Sequence, residues 1–261
     1  MQDALILNVL YALVFLLGLL VGSFILEMAF RIPRNEDFVF TRSHCEACGH
    51  VLSPLDLIPV LSFVFLQGKC RCCGHKLSIL YPLAELIHAV LWLSVFIVYR
   101  FTTEAVIFAL FFSALLCLSL IDAKTGIIPP GFPFFIGLLG GIRLIWQVFI
   151  YQNRDYLLQA LLGTVSISLP LIIVYIISKA SAIGGGDIKL MAAAGFLIGW
   201  RLCLLGFLLA CILGSVIHVI RIRFFNAGRV LYMGPYLSAG LILSMLFGEV
   251  LMQWYFSLFL T

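Results

Sequence analysis

The chain has 261 residues, 63% of them hydrophobic and 11% charged, against about 45–50% apolar and about 25% charged in an ordinary soluble domain. That composition excludes a water-soluble globule, a disordered chain and a collagen-like repeat. The net charge of +4 is modest, and no run of Lys and Arg with interleaved aromatics suggests a nucleic-acid face, so what matters is where the charges sit.

The first apolar stretch runs from about Ala4 to Leu26, with Asp3 before it and Arg31 and Arg34 after it. It lacks the basic front end of a cleavable signal peptide and reads as a permanent signal-anchor helix. Further spans are expected at Leu80–Tyr99, Thr103–Ile121, Phe132–Ile150, Tyr156–Ser178, Leu202–Ile220 and Gly234–Phe259, with a shorter Ala/Gly-rich piece at Leu190–Trp200. The fold class is therefore an all-α polytopic membrane protein with about eight transmembrane helices, counting the short piece as a crossing. Three regions are expected: residues 1–30 as the first helix, 31–78 as a loop, and 79–261 as the transmembrane core.

Charge bias tests this count, because one wrong span would scramble every later loop. With the N-terminus outside, the cytoplasmic segments hold Arg31, Arg34, Arg42, Lys69, Arg71, Lys76, Lys124, Lys179, Lys189, Arg221, Arg223 and Arg229, and the outer loops hold Arg100, Arg154 and Arg201. Arg143 alone falls inside a span, where it must snorkel or pair. Within the cytoplasmic loop, the run Leu55–Leu66 carries Asp56 and Pro59 and is too short to cross, so it is expected to be interfacial or packed.

That loop holds five of the eight cysteines. Cys45-Glu-Ala-Cys48-Gly49-His50 recurs as Cys70-Arg-Cys-Cys73-Gly74-His75. Paired C-x-x-C turns each place two thiolates on one side, the Gly permits positive φ just after, and two such turns build a closed zinc site. A loop of fewer than about 50 residues gains from a structural metal the stability that its small core cannot supply. Zn2+ held by Cys45, Cys48, Cys70 and Cys73 is the favoured reading over a redox pair, which would need a βαβ context, and over disulfides, which a reducing cytoplasm disfavours. Cys72 adjoins Cys73 and leaves the fourth ligand open between them, while His44, His50 and His75 read as solvated loop residues. Cys117, Cys203 and Cys211 lie in spans as small core residues.

Two acids stand at the inner edge of predicted spans, where desolvation makes a carboxylate expensive. Asp122 ends the third span in Leu120-Ile121-Asp122-Ala-Lys124-Thr125-Gly126-Ile127-Ile128-Pro129, and Asp187 follows Gly184-Gly185-Gly186 ahead of the short piece. Two carboxylates brought together share a proton, so the ionised one deprotonates a water for attack on a peptide carbonyl while the protonated one stabilises the developing oxyanion and donates to the leaving amine. The three glycines break the helix and allow an extended substrate to approach, and they lack the spacing of a phosphate loop. Each acid taken alone reads more readily as a helix cap or an interfacial charge.

Taken together, the D-x-x-x-x-I-I-P at Asp122–Pro129, the G-x-G-D-x-K at Gly184–Lys189, the paired C-x-x-C loop and Tyr81-Pro82-Leu83-Ala84-Glu85-Leu86 resemble the type IV prepilin peptidases (prepilin leader peptidase/N-methyltransferases). Gly22-Ser23-Phe24 with Arg31-Ile32-Pro33 is similar to that family's first-helix signature, and Gly234-Pro235-Tyr236 to its last-helix entry. The resemblance implies an intramembrane aspartic endopeptidase with Asp122 and Asp187 as catalytic residues. It would cleave the basic leader of type IV pilus prepilins and type II secretion pseudopilins at the cytoplasmic face of the bacterial inner membrane. It also implies N-methylation of the new amino terminus with S-adenosylmethionine as cosubstrate; no Gly-rich nucleotide fold is visible to suggest this independently.

The chain departs from the family pattern at Ile25-Leu26-Glu27, where an Asn is common, and at Pro130 after the Ile-Pro. Glu27 is either a substituted functional residue or an acid facing the bundle, and Glu85 either pairs with a basic loop residue, acts in methyl transfer or caps its helix. Glu36, Asp37, Glu46 and Asp56 are the candidates for meeting a basic leader. Two other classes fit parts of the pattern: a proton-coupled transporter, which would place its acids near the midplane, and a non-catalytic zinc-stapled scaffold, which explains only the cysteines.

Overall fold

The structure is a computed structural model that describes residues 2–181, 183–225 and 231–258, so Arg229 and Phe259 of the sequence reading lie outside the described residues. The long helices are α1 (Gln2–Arg31), α3 (Leu80–Tyr99), α4 (Thr103–Thr125), α5 (Gly131–Ile145), α6 (Asp155–Ile177), α8 (Trp200–Phe225) and α9 (Gly234–Ser257). A short α2 (Leu61–Phe65) lies in the loop, a π-helical turn (Trp146–Ile150) extends α5, and α7 (Gly185–Ile198) precedes α8. Among the described residues the only β-pairing is two isolated bridges in the loop. Among the described residues seven helices are long and apolar enough to cross a membrane. The eighth expected segment is α7, which at 14 residues reaches about 21 Å at 1.5 Å per residue, short of the roughly 30 Å hydrocarbon core.

The chain divides into two compact units, Met1–Cys117 and Leu118–Thr261, with the boundary inside α4. In the first unit α1 lies close against α3 because Gly18 and Gly22 present no side chain. A Cβ on Gly18 would stand 2.8 Å from the Ala89 Cα, and one on Gly22 would stand 3.0 Å from the His88 Cβ. Small residues four apart let membrane helices approach where lipid supplies no hydrophobic driving force. The polar groups carried into this contact satisfy one another. The fully buried His88 faces the Gly18 carbonyl with Nδ1 at 2.6 Å and the Ser113 hydroxyl with Nε2 at 2.8 Å. A carbonyl only accepts, so Nδ1 carries a proton, and the Ser113 hydroxyl, which also donates to the Ala109 carbonyl at 2.9 Å, lies against Nε2. The Trp92 indole donates to the same hydroxyl at 2.9 Å.

In the second unit the same device recurs. A Cβ on Gly163 or on Gly195 would overlap the other's carbonyl, which sets α6 against α7, and a Cβ on Gly240 would overlap the Gly206 carbonyl, which sets α9 against α8. Helix α7 stops at Ile198, where Gly199 turns the chain at φ +81°. A helix end inside an apolar bundle leaves carbonyls without partners, and the sequence places a cation and a phenol there. The Arg143 guanidinium donates to the Leu197 carbonyl at 2.7 Å and to the Tyr156 hydroxyl at 3.0 Å, and Tyr156 donates to the same carbonyl at 2.7 Å. The guanidinium also lies 4.9 Å from the centre of the Tyr156 ring. Arg143 therefore pairs rather than snorkels, and its charge opposes the negative end of the α7 dipole. Replacing it by Met removes a charged hydrogen bond, a loss of about 1.5–3 kcal/mol. Thermal unfolding in detergent is expected to show a lowered midpoint, and an unchanged midpoint would contradict this capping role.

Candidate active site and metal centre

Asp122 and Asp187 both belong to the second unit. Helix α4 ends one turn after Asp122, where Gly126 at φ +68° donates its N–H to the Asp122 carbonyl at 2.8 Å, the left-handed cap that glycine adopts without steric cost. Past that turn Ile127 points outward and Ile128 inward. Ile128 packs on Gly186, whose Cβ, if present, would stand 2.9 Å from the Ile128 Cβ. The two motifs, distant in sequence, are thus held together by an Ile side chain resting on a bare backbone.

Asp187 stands in the first turn of α7, after the extended Gly184 (φ −74°, ψ 139°), and its N–H donates to the Gly184 carbonyl at 3.1 Å. Asp122 is buried, and its Oδ2 accepts the N–H of Gly234 at 2.8 Å. Gly234 opens α9, and a Cβ there would come within 2.6 Å of the Asp122 carboxylate. Each carboxyl therefore sits at a helix N-terminus, where unpaired N–H groups and the helix dipole favour negative charge. The two acids lie within Coulombic reach of each other. Two carboxyls so placed do not both ionise readily, and a pair holding one proton between them can act as base and acid together. Sequence reasoning took Gly234 only as the entry to the last helix; its hydrogen bond to Asp122 spans 112 positions and has no local signal.

In the first unit the Sγ atoms of Cys45, Cys48, Cys70 and Cys73 all lie within 4.8 Å of one another, with Cys45 and Cys73 at 3.9 Å. A tetrahedral zinc with bonds of about 2.3 Å sets sulfurs about 3.8 Å apart, so the donor set fits that ion. All eight cysteines are free thiols. The two turns are near copies. The Cys45 N–H donates to the His50 carbonyl at 2.9 Å and Gly49 to Cys45 at 2.8 Å; Cys70 donates to His75 at 2.8 Å and Gly74 to Cys70 at 3.0 Å. Gly49 and Gly74 take φ +69° and +71° with open space about the missing Cβ, so it is their backbone conformation that calls for glycine. Cys73 rather than Cys72 joins the cluster, since a C-x-x-C turn brings its first and fourth residues to one side. The backbone N–H groups of Ala47 and Cys48 hold the Cys45 thiol down to about 6. At Cys48 the His50 N–H favours the thiolate, but lost solvation and the thiols of Cys73 and Cys45 push it up to about 12. Four thiols this crowded do not all ionise without a cation among them.

Residues 16–99 match the model of the bacterial peptidase A24 N-terminal domain, and residues 109–219 match that of the type IV leader peptidase family. The chain is 32% identical over 250 residues to the prepilin leader peptidase/N-methyltransferase of Bacillus subtilis strain 168, covering 94% of this chain and 97% of that one. It belongs to the prepilin leader peptidase/N-methyltransferase family. The Pseudomonas aeruginosa member is 31% identical over 265 residues, covering 92% and 91% of the two chains, and the Myxococcus xanthus member is 34% identical over 206 residues, covering 79% and 61%. No solved structure matches the chain.

Against the family pattern, the departures and loop acids have definite partners. Glu27, in the segment that departs from the family pattern, forms an ion pair with Arg31. Arg31 is itself buried and donates to the carbonyls of Asp37 at 2.9 Å and Thr41 at 2.7 Å, so the pair anchors the start of the loop. Glu85 does not meet a basic loop residue. Its carboxylate accepts the Val60 N–H at 2.8 Å and bonds the Ser23 hydroxyl. Val60, at φ +60° and ψ −50°, forms a tight three-residue turn with the Leu61 N–H on the Pro59 carbonyl at 2.5 Å, a strained conformation for a β-branched residue.

Three of the four acids considered for a basic leader are engaged locally. Asp56 accepts from the Ser53 hydroxyl at 2.7 Å and from Arg71 at 2.8 Å, contacts that hold its carboxyl below the usual range. Glu46 pairs with Arg34 at 3.0 Å, and Asp37 accepts the Val39 N–H at 2.8 Å. Glu36 is exposed. The segment Leu55–Leu66 forms turns and α2 rather than a span, with Leu55, Leu61, Val64 and Phe65 exposed.

Proposed function

We propose that the chain is an intramembrane aspartic endopeptidase, that Asp122 and Asp187 are its catalytic pair, and that it removes the basic leader from type IV prepilins and pseudopilins at the cytoplasmic side of the bacterial inner membrane. The observation that carries this reading is the meeting of two carboxyls from distant motifs, each at a helix N-terminus, within Coulombic reach of one another. The activity for which the relatives are named supports the substrate class.

The ionised carboxyl takes a proton from water as the water oxygen bonds to the scissile carbonyl carbon, and the protonated carboxyl donates to the carbonyl oxygen. Collapse of the tetrahedral intermediate breaks the C–N bond, the nitrogen receives a proton, and the pair returns to one shared proton. Gly185, with nothing within 4 Å of its missing Cβ, leaves space ahead of Asp187 for an extended substrate. Cys45, Cys48, Cys70 and Cys73 would hold a structural zinc, which would neutralise their thiolates and tie the loop into one fold. The relatives' names also carry an N-methyltransferase activity, which here would use S-adenosylmethionine as methyl donor.

The test is purified protein incubated in detergent with a prepilin and S-adenosylmethionine, followed by intact-mass analysis. The expected product has lost the leader and gained one methyl mass. A product with the leader removed but no methyl keeps the peptidase and removes the second activity; intact prepilin from several substrates overturns the proposal.

A further inference from the structure

The run Leu55–Leu66 is too short to cross a membrane, and its apolar side chains stand outside rather than packed. Leu61, Val64 and Phe65 of α2 are three and four residues apart, on one side of the helix, and are 54%, 64% and 81% exposed. Phe63, on the other side, turns inward onto Gly68, where a Cβ would stand 3.0 Å from the ring. Asp56, the only acid of the run, is turned away as well, its side chain 4% exposed and paired with Arg71. An apolar face cleared of negative charge marks a surface that meets a partner.

Where this face lies identifies the partner. The Val60 N–H, immediately before α2, donates to Glu85 of α3 at 2.8 Å, and Glu85 also bonds the Ser23 hydroxyl of α1. Glu85 is five residues into α3 and Ser23 eight residues short of the end of α1, about 7.5 Å and about 12 Å along the two axes at 1.5 Å per residue. Both helices are long and apolar enough to cross a membrane. The outer surface of α3 is apolar from its first residue, with Leu80, Leu83, Leu86 and Ile87 exposed. The turn that starts α2 is thus fastened beside two spans, at a level where their outer faces meet lipid. Leu61 follows that turn directly, and Val64 and Phe65 lie about one helical turn further on.

A second feature gives the chemistry of the lipid. Lys69 and Lys76 oppose each other across an isolated antiparallel bridge, where partners carry their side chains on one face and like charges repel. Both are exposed, and among the described residues neither is in an ion pair. The bridge begins at the turn that closes α2, where the Lys69 N–H donates to the Leu66 carbonyl at 3.0 Å. An apolar helix face with paired cations at its edge suits an anionic bilayer surface, with side chains in the acyl boundary and ammonium groups among phosphates.

We infer that α2 is an interfacial anchor: Leu61, Val64 and Phe65 enter the bilayer beside α1 and α3, and Lys69 and Lys76 meet anionic phospholipid headgroups. The second C-x-x-C turn starts at Cys70, directly after Lys69, so the anchor holds the cysteine knuckle at the membrane surface.

The test uses the full chain in lipid nanodiscs containing a phospholipid with a photoactivatable diazirine in its acyl chain, irradiated, digested and mapped by mass. Lipid adducts are expected on Leu61, Val64 and Phe65 as well as on Leu80 and Leu83, and none on residues 45–50. Acetylation of Lys69 and Lys76 by a water-soluble reagent is expected to be about fivefold slower in discs rich in phosphatidylglycerol than in pure phosphatidylcholine, the factor equivalent to about 1 kcal/mol per lysine at an anionic surface. Adducts on Leu80 and Leu83 with none on the α2 residues overturn the inference, because the face then meets water or protein. Adducts on α2 that an added prepilin abolishes also overturn it, by assigning the face to a protein helix. Equal acetylation in the two kinds of disc overturns the headgroup contact.

Discussion

Asp122→Asn and Asp187→Asn are each expected to lower leader cleavage by about 10²–10⁴-fold or more, the range supplied by a positioned acid or base, with the protein still folded and inserted. The asymmetry between activity and fold follows from the local geometry. An Asn at 122 still offers an oxygen to the Gly234 N–H, which sits 2.8 Å from the carboxylate now. An Asn at 187 still stands in the first turn of α7 after Gly184. Neither substitution changes volume, and each removes one of two carboxyls within Coulombic reach of each other, so the unfolding midpoint is expected to be unchanged or higher. What is lost is the exchange of a proton between the two groups, because an amide neither takes the proton from water nor gives one to the carbonyl oxygen. Single-turnover cleavage of a purified prepilin and the unfolding midpoint, measured on the same preparations, check both halves. Near-wild-type cleavage by either variant would remove that residue from the chemistry.

Cys45→Ser with Cys48→Ser is expected to lose one zinc per chain and with it the ordered loop. The two knuckles are joined through their four sulfurs, all within 4.8 Å of one another; removing one knuckle leaves two thiolates, too few to close a tetrahedral site. Structural zinc in such small folds is worth on the order of 10–16 kcal/mol, and that binding energy is folding energy. The loop's apolar residues, with Leu55, Val64 and Phe65 exposed, offer little core to replace it. Zinc analysis is expected to fall from one per chain to none, and limited proteolysis to open new cuts within residues 43–77. Cys72→Ser, outside the cluster, keeps the metal. A double variant that retains zinc would sink the assignment.

The parts of this account legible in the sequence are those set by local period or spacing. Runs of about 20 apolar residues announce spans whatever their neighbours, and two C-x-x-C-G-H turns announce their own geometry. Spacing left Cys72 and Cys73 open until the turn itself placed Cys73 with its three partners. What stayed hidden depends on where distant elements stop. Arg143 read as a lone cation in a span because the carbonyl it caps belongs to Leu197, at the end of a helix too short to cross. Glu85 invited a basic partner, yet its carboxylate took a backbone N–H from a turn 25 positions earlier, a donor no residue type reveals. The fold places both aspartates in one unit, but their proximity rests on Ile128 meeting Gly186 and on Gly234 meeting Asp122. The Asp motifs announce the two carboxyls; the glycines that let them assemble look in the sequence like any others.

The central claim, that a water activated between Asp122 and Asp187 cuts the leader without a covalent intermediate, is tested most directly by turnover in oxygen-18 water with the enzyme and products quenched together and weighed. The account predicts one heavy oxygen in the new carboxylate of the released leader and an enzyme of unchanged mass at every time point. A transient enzyme species heavier by the mass of the leader would contradict it, because the bond would then have passed through an acyl intermediate on the protein.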